Sequence, residues 1–384
     1  MLMSIFDNIF DYIGQLYTDR LPYFPTNIRA SLMIILFCVV AAIEIYIYIL
    51  FKRIVKMREE KQVKYWKEHI GNVLANIIVY DETDDTAEII SHFYPRLKKL
   101  PLRNKIVNQI LVNEILLYHK NFTGKTAEIL SQLYRKLNLD KKTKKKIANR
   151  NWDIKIEGIR EANEMEIVEM ASAIIKYTDD ENALLRMEAQ AAYIKLSATE
   201  PFHFLNRARE RILDWHQVVL FEIITKNKKL TIPSFSKWLY SPNDTVVMLC
   251  LKLIEHFTQF EAEEELIRLL QHHNPKIVKK SVEIIGKLEL ANAERFMFEI
   301  YFDQSEEIKL AILNAFGRIS SGQYADFLSS RIYSTDVKIK REALYAIKRD
   351  PDNGKTKLRE IFSQTTSENQ ALIKHVLDDR IKQE

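Results

Sequence analysis

Glycine and proline are scarce in this chain, whose 384 residues include only 8 glycines and 9 prolines. A protein rich in tight turns needs more of both residues. Leu, Ile, Glu, Lys and Ala dominate instead, and apolar residues recur at helical spacing along almost the whole sequence. The composition therefore predicts an almost entirely α-helical protein.

Cysteine is also rare, since only Cys38 and Cys250 are present. The two residues lie far apart, and Cys38 falls inside a long apolar segment. A disulfide framework is therefore not expected, and a reducing compartment is the natural location for the soluble part of the chain.

Short catalytic motifs are absent from the sequence. We find no glycine-rich phosphate loop, no His-Glu-x-x-His or Cys-x-x-Cys pair, and no Gly-x-Ser-x-Gly elbow. His272 and His273 are adjacent, but a metal site would need further ligands, and neighbouring side chains on a helix point apart. We expect these histidines to cap a helix C-terminus. The sequence therefore predicts no enzyme activity, no cofactor, no metal and no small-molecule substrate.

One long apolar run is present, from Leu32 to Phe51, with Glu44 as its single charged residue. At about 1.5 Å per residue, an α-helix of this length spans the hydrocarbon core of a bilayer, about 30 Å thick. The run therefore predicts a transmembrane helix over residues 28–52. No basic segment precedes it as in a signal peptide, so we expect a retained anchor.

Glu44 is the candidate intramembrane contact, because a buried carboxylate is costly unless it is paired. A basic residue of a partner would pair with it. Alternatively, Glu44 reaches towards the lipid headgroups or is protonated.

Residues 1–27 form a segment expected on the outer side of the membrane. Within it, residues 1–17 place apolar side chains at i, i+3 and i+4, with Asp7 and Asp11 on the opposite face. This pattern predicts an amphipathic helix lying in the interface. A partly disordered tail is the alternative.

Positive charge is concentrated just after the apolar run. Residues 52–150 contain 22 basic and 11 acidic residues, whereas residues 151–384 contain 33 basic and 37 acidic ones. Residues 53–62 are expected to be a basic juxtamembrane linker. By the positive-inside rule the N-terminus is outside and the C-terminal part is cytosolic.

Two groups of basic residues are therefore candidates for contact with anionic lipid headgroups. They are Lys52, Arg53, Lys56, Arg58, Lys141, Lys142, Lys144, Lys145 and Lys146. The second group, from Lys141 to Lys146, could equally contact a phosphate backbone or form a solvated loop.

The remainder of the chain repeats itself with a period of about 30 residues. Four similar blocks begin at Val246, Ile277, Ile308 and Ile339, so the interval between them is constant. Equivalent positions hold Leu251, Val282, Leu313 and Leu344; Leu253, Ile284, Ala315 and Ala346; and Ile254, Ile285, Phe316 and Ile347. Earlier blocks begin at Trp215, Leu185 and, more weakly, Ile154, so that seven units fit.

Each unit has the pattern of a helix pair. The aligned block forms a first helix, and second helices are predicted over Glu261–His272, Ala291–Phe302, Gln323–Tyr333 and Gly354–Phe362. Cap residues such as Asn243, Asn274, Ser305 and Asp336 precede the first helices. We assign residues 63–150 to a divergent helical region, 151–366 to the repeats and 367–384 to a capping helix.

The repeated blocks resemble the HEAT-repeat family in its short bacterial form, in which each unit has about 30 residues. The resemblance is carried by the small and apolar rhythm and by a basic residue early in the first helix, namely Arg186, Lys279, Lys309 and Lys340. It covers Ile154 to Phe362. Several units lack the family's Pro and Asp, and the period is shorter than in eukaryotic HEAT repeats. The resemblance implies an all-α, armadillo-like α-solenoid of stacked antiparallel helix pairs.

HEAT-like solenoids bind proteins, usually on a concave face formed by the second helices. The resemblance therefore implies a protein-binding scaffold in a bacterial inner membrane. A membrane enzyme such as an envelope-polysaccharide glycosyltransferase is one class of partner. The candidate contacts on second helices are Trp238, Arg268, Phe298, Tyr301 and Tyr324.

An alternative follows from the same resemblance, because HEAT-like folds also occur in DNA base-excision enzymes and chromophore lyases. That hypothesis requires a basic concave face with an embedded acid. The net charge of −4 over residues 151–384, from 33 basic and 37 acidic residues, disfavours nucleic acid as a ligand.

Overall fold

A computed structural model describes residues 23, 25–78 and 85–378 of the chain. These residues form eighteen α-helices joined by turns and short 3₁₀ segments, and no strand occurs among them. The prediction of an all-α protein is therefore confirmed for the described part. The amphipathic helix expected over residues 1–17 lies outside it.

The chain divides into two compact units, with the boundary between Leu137 and Asn138. In the first unit, the helices are α1 (Thr26–Ile78), α2 (Thr86–Lys98), α3 (Lys105–Asn121) and α4 (Lys125–Lys136). The C-terminal part of α1 buries Ile70, Leu74 and Ile77, where α1 packs against α2 and α3. Helix α4 packs against α2 and α3 and completes this small bundle.

The second unit contains fourteen helices. They are α5 (Leu139–Ile147), α6 (Trp152–Glu164), α7 (Ala171–Ile174), α8 (Ala183–Leu196), α9 (Asp214–Lys226), α10 (Asp244–His256), α11 (Glu263–Leu269), α12 (Pro275–Lys287), α13 (Glu294–Ile300), α14 (Glu306–Ile319), α15 (Ala325–Arg331), α16 (Val337–Lys348), α17 (Gly354–Gln364) and α18 (Ser367–Leu377).

Seven of these helices begin at a regular interval. Helices α6, α8, α9, α10, α12, α14 and α16 start at residues 152, 183, 214, 244, 275, 306 and 337. The period of the sequence is thus the interval between helix starts. Each helix of this series packs against the next one. We call these seven the first helices.

The first helices carry the buried side chains that the sequence register aligns. Leu251, Val282, Leu313 and Leu344 are all fully buried. The other two aligned sets are buried as well, with at most 4% of any side chain exposed. Burial of apolar area on this scale is the main stabilising contribution to the unit.

Hydrogen bonds at the helix starts follow the predicted caps. The side chains of Asn182, Asn243, Asn274 and Asp336 each accept a hydrogen bond from a backbone N–H in the first turn of the following helix. Ser305 occupies the cap position of α14 without such a bond. Pro275 is the first residue of α12, where the absence of its N–H costs nothing.

Three of the four predicted second helices are shorter than the sequence pattern predicts, whereas α17 starts at Gly354 as predicted and extends to Gln364. Helix α11 covers only Glu263–Leu269 and α13 only Glu294–Ile300, and 3₁₀ turns take up the adjoining residues. In the units that begin at 183 and 214, the second element is a 3₁₀ turn alone, at His203–Asn206 and Ser236–Tyr240. Short 3₁₀ turns commonly serve as connectors and helix ends of this kind.

Glycine residues allow α12, α14 and α16 to approach one another closely. A Cβ atom at Gly286 would lie 2.7 Å from the Cα of Ala315, and one at Gly317 would lie 2.6 Å from the Cα of Ala346. Gly317 and Ala346 lie one repeat unit after Gly286 and Ala315, so the second contact is equivalent to the first. Only hydrogen at the glycine and methyl at the alanine fit between these backbones.

We therefore expect Gly286→Ala to destabilise the protein, although alanine is the better helix former by about 1 kcal/mol. Overpacking should lower the free energy of unfolding by about 1–3 kcal/mol. Urea unfolding of the detergent-solubilised chain measures the effect. Lys276→Ala, at an exposed site on the same helix, serves as control and should change the free energy by less than about 0.5 kcal/mol. A stabilised Gly286→Ala variant would contradict the close helix contact.

Candidate functional site

The apolar run lies in α1, a continuous helix of 53 residues. Among the described residues, one helix is long and apolar enough to cross a membrane, judged by length and composition, and its most apolar stretch has no buried residue. Phe37 is 74% exposed, and Glu44 is exposed as well. A surface this apolar has no packing partner within the described chain.

The basic residues after this run lie on the same helix. Residues 53–62, expected as a linker, are helical, because α1 contains no proline and its only glycine is Gly71. Lys52, Arg53, Lys56 and Arg58 are exposed there. Lys52 lies 5.6 Å from the ring centre of Tyr48, and Lys56 forms an exposed ion pair of 4.0 Å with Glu60.

The lysine-rich segment forms helix α5 rather than a loop. Lys141, Lys144 and Lys145 are exposed on it. Burial and the neighbouring Lys146 lower the pKa of Lys142 below its usual range.

Lys146 has a structural role instead of a surface one, so we withdraw it as a lipid contact. Its ammonium group is largely buried and pairs with Glu157 at 3.1 Å and with Glu161 at 2.5 Å. Glu161 is 2% exposed and also accepts a hydrogen bond from Thr143 at 2.8 Å. A buried carboxylate needs such partners to offset its desolvation.

Two of the five predicted protein contacts are buried, and we correct their assignment. Trp238 is 4% exposed, and its indole N–H donates to the side chain of Asn206 at 2.7 Å. Tyr301 is 2% exposed and lies 5.0 Å from the ring centre of Phe327. Both side chains therefore belong to the core.

The other three predicted contacts reach the surface. Arg268 is exposed, stacks over Tyr240 at 4.0 Å and donates to the backbone oxygen of Leu239 at 2.7 Å. Phe298 and Tyr324 are half-buried, with their ring centres 5.2 Å apart. Burial raises the pKa of Tyr324 above its ordinary value.

Aromatic side chains that the sequence reasoning missed are more exposed. Tyr240, Phe302 and Tyr333 are 61%, 56% and 62% exposed, and they lie at or just beyond the ends of second elements. These three residues occupy equivalent positions of the repeat. Gln271 occupies that position in the unit between Tyr240 and Phe302. We call Tyr240, Phe302 and Tyr333 the aromatic row. The register was the signal that could have identified them.

His272 and His273 neither cap the C-terminus of a helix nor point apart, contrary to the prediction. Helix α11 ends at Leu269, so the two histidines lie in the connection to α12, and their ring centres are 4.3 Å apart instead of diverging. With Asp244 they form a group whose ligand atoms could surround a metal ion. However, His272 Nδ1 accepts a hydrogen bond from the backbone N–H of Asn274 at 3.1 Å. The imidazole proton is therefore on Nε2, the atom that faces Asp244. A metal-bound histidine normally donates from its other nitrogen. The group fits a hydrogen-bonded connection better than a metal site.

A histidine on α9, His216, is buried and has a shifted pKa. This side chain is 3% exposed. Burial, followed by the positive charge of Arg186, lowers the pKa of His216 from its usual value of about 6.5 to about 4. Arg186 itself is held by backbone oxygens of Asp180, Glu181 and Arg211.

Comparison with known proteins adds little to this description. No family model matches the sequence, and no curated protein matches it either. Two engineered proteins solved by the Northeast Structural Genomics Consortium are similar in part. The first is 13% identical with a TM-score of 0.32, over 83% of this chain and 95% of that protein. The second is 13% identical with a TM-score of 0.23, over 62% and 95%.

We expect stability to fall on acidification between pH 6.5 and about 4, because in this window the unfolded chain protonates His216 and the folded chain does not. The shift corresponds to roughly 3 kcal/mol at full extent. Urea unfolding at a series of pH values should show this loss in the wild-type chain and a smaller loss in His216→Gln. His273→Gln, at an exposed site, is the control and should retain the wild-type slope. Equal slopes in all three proteins would show that His216 does not set this pH dependence.

Proposed function

We propose that this protein is a membrane-anchored scaffold, in which a HEAT-like α-solenoid holds a partner protein at the cytosolic face of a bacterial inner membrane. The stacked helix pairs, the anchor, its orientation and the partner are all parts of this proposal. A membrane enzyme such as an envelope-polysaccharide glycosyltransferase fits the role, because anchor and partner would then share one membrane. The protein acts by binding rather than by catalysis.

The observation that carries the proposal is the row of seven first helices, together with exposed aromatic residues at three of four equivalent positions of the repeat. A helix pair cannot bury its apolar stripe alone, so regular packing of each first helix on the next supports a solenoid. Tyr240, Phe302 and Tyr333 each expose more than half of a large side chain. Aromatic residues and arginine dominate the energetic centres of protein interfaces, and Arg268 lies against this row over Tyr240.

The anchor is supported by α1. Its exposed apolar surface spans the length of a bilayer core and continues directly into Lys52, Arg53, Lys56 and Arg58. These cations favour the cytosolic side for the helices that follow. Since α1 remains helical up to the first bundle, it would hold that bundle close to the headgroups.

The anchor is tested by charge insertion. Ile35→Arg, Val39→Arg and Ile43→Arg together should transfer the protein from the membrane to the soluble fraction, because each arginine costs about 2.5–3.5 kcal/mol near the centre of a span. Carbonate-resistant membrane association in a bacterial host is the measurement. The matched control carries Glu59→Arg, Glu60→Arg and Gln62→Arg further along α1 and should remain in the membrane. Retention of both variants would refute the transmembrane assignment.

Partner binding is tested at the aromatic row. A photoreactive phenylalanine in place of Phe302 should form one dominant cross-linked species in cells of the native host. Adding Tyr240→Ser and Tyr333→Ser to the same chain should reduce that species at least about tenfold, since buried interface aromatics often contribute about 2 kcal/mol or more. The control places the same probe at Lys338, whose side chain is 67% exposed on a first helix.

No dominant species at position 302, or equal yields at positions 302 and 338, would count against the scaffold function. This result would leave the membrane assignment intact, because the two tests have separate readouts.

A further inference from the structure

One groove of the second unit has a volume of about 1210 Å³. Its lining includes five cationic side chains, which are Lys176, Arg207, Arg209, Arg211 and Lys276. Three acidic residues, Asp179, Asp214 and Asp244, also line it. Ile175, Leu205, Met248 and Ile277 supply an apolar part of the wall. The groove therefore combines an excess of positive charge with apolar surface.

Three of the cations come from one short segment without helix, residues 207–213, between a 3₁₀ turn and α9. Ala208 and Ile212 are buried within it, while Arg207, Arg209, Glu210 and Arg211 are exposed. We call the three arginines the arginine row.

Side chains from a neighbouring turn and from the cap of α10 fix the backbone of this segment. The Asp179 carboxylate accepts hydrogen bonds from the N–H groups of Arg209 and Glu210 at 2.8 and 2.9 Å. The Asn243 amide lies 2.9–3.3 Å from the carbonyl oxygens of Ala208, Arg209 and Glu210.

The far end of the segment is held in the same way. The N–H of Ile212 donates to Thr245 Oγ1 at 2.9 Å. The guanidinium of Arg186 donates to the carbonyl of Arg211 at 3.2 Å, and the amide of Gln217 donates to the carbonyl of Ile212 at 3.1 Å. Gln217 is buried. Polar groups on both sides thus hold an irregular segment in one conformation.

The arginine row, by contrast, has no ion-pair partner among the described residues. Glu210, the acidic residue within the segment, faces Arg186 at 3.9 Å instead. A fixed backbone removes the cost of ordering the segment when a ligand binds, and each planar guanidinium can form two parallel hydrogen bonds with a carboxylate. A rigid segment with three free guanidinium groups is therefore preorganised for an anionic ligand.

We propose that this groove docks an acidic polypeptide segment of a partner protein, with its carboxylates paired to Arg207, Arg209 and Arg211. The excess of cations in the groove favours an acidic occupant, and each guanidinium can hold a carboxylate by two parallel hydrogen bonds. Apolar residues of the same peptide would contact Ile175, Leu205 and Met248.

Two features favour a peptide over nucleic acid. The lining contains no aromatic side chain on which a base could stack. The surrounding chain, residues 151–384, has 33 basic and 37 acidic residues, and its net negative charge repels a long polyanion while a local cluster still attracts a short acidic segment.

The docking site is separate from the aromatic row and needs neither that row nor the anchor. It names the chemistry of one contact with the partner, and so rests on the proposed scaffold function, but its test is independent of the cross-linking at Phe302.

Fluorescence anisotropy with the full chain in detergent provides the test. The probe is a labelled peptide of about twelve residues with Glu at alternate positions and Leu or Ser between them. We expect saturable binding that weakens with salt. The triple variant Arg207→Ser, Arg209→Ser and Arg211→Ser should bind at least about tenfold more weakly. The matched control, Arg150→Ser, Arg341→Ser and Arg359→Ser, removes the same charge from exposed sites of the same unit and should bind within about twofold of wild type.

A second variant tests preorganisation. Asn243→Ala keeps all three arginines but removes the side-chain amide that holds the segment, so it should weaken binding of the peptide. The circular-dichroism spectrum of this variant should remain helical. The Glu→Gln version of the peptide should not bind. Equal loss in both triple variants, equal binding of the Gln peptide, no binding by the wild-type chain, or tighter binding of single-stranded DNA than of the peptide would each overturn the proposal.

Discussion

The close approach of successive first helices is the constraint on which the second unit depends. Gly286 faces Ala315 and Gly317 faces Ala346 with no room for a further methyl group. Around these contacts the aligned Val282, Leu313 and Leu344 are fully buried. Interiors are packed densely, so a larger residue at one of these contacts would displace the rest of the row.

The second elements carry the variation that this fixed row permits. Where they are short helices or 3₁₀ turns, their last residues cannot turn back onto the core, and Tyr240, Phe302 and Tyr333 are left exposed. Between α8 and α9, the segment 207–213 replaces regular structure. In a helix the backbone N–H and C=O groups bond to one another. In this segment they bond to side chains instead, because buried backbone groups require partners. Irregular positions of this kind are where binding residues concentrate on a regular framework.

Much of the helical arrangement could be predicted from local patterns. The register of the repeat indicated where the first helices start, because a repeated apolar stripe and a repeated cap both act within a few residues. Asn243, Asn274 and Asp336 cap as expected. The contact residues were predicted less well. Trp238 and Tyr240 are close neighbours along the chain, yet one is buried and the other is exposed. Which one turns inward depends on where a 3₁₀ turn ends, and no local signal fixes that position.

The sequence by itself determined the helical class, the repeat interval, the apolar run and the uneven charge, since these follow from composition and periodicity. Only the tertiary structure decided which charges are free. Lys146 on α5 forms an ion pair with Glu161, which lies further along the chain on α6. Arg207, Arg209 and Arg211 have no such ion-pair partner among the described residues. The reason is physical: pairing depends on distances of a few ångströms across packed helices, and residues far apart along the chain come that close only once the helices have packed.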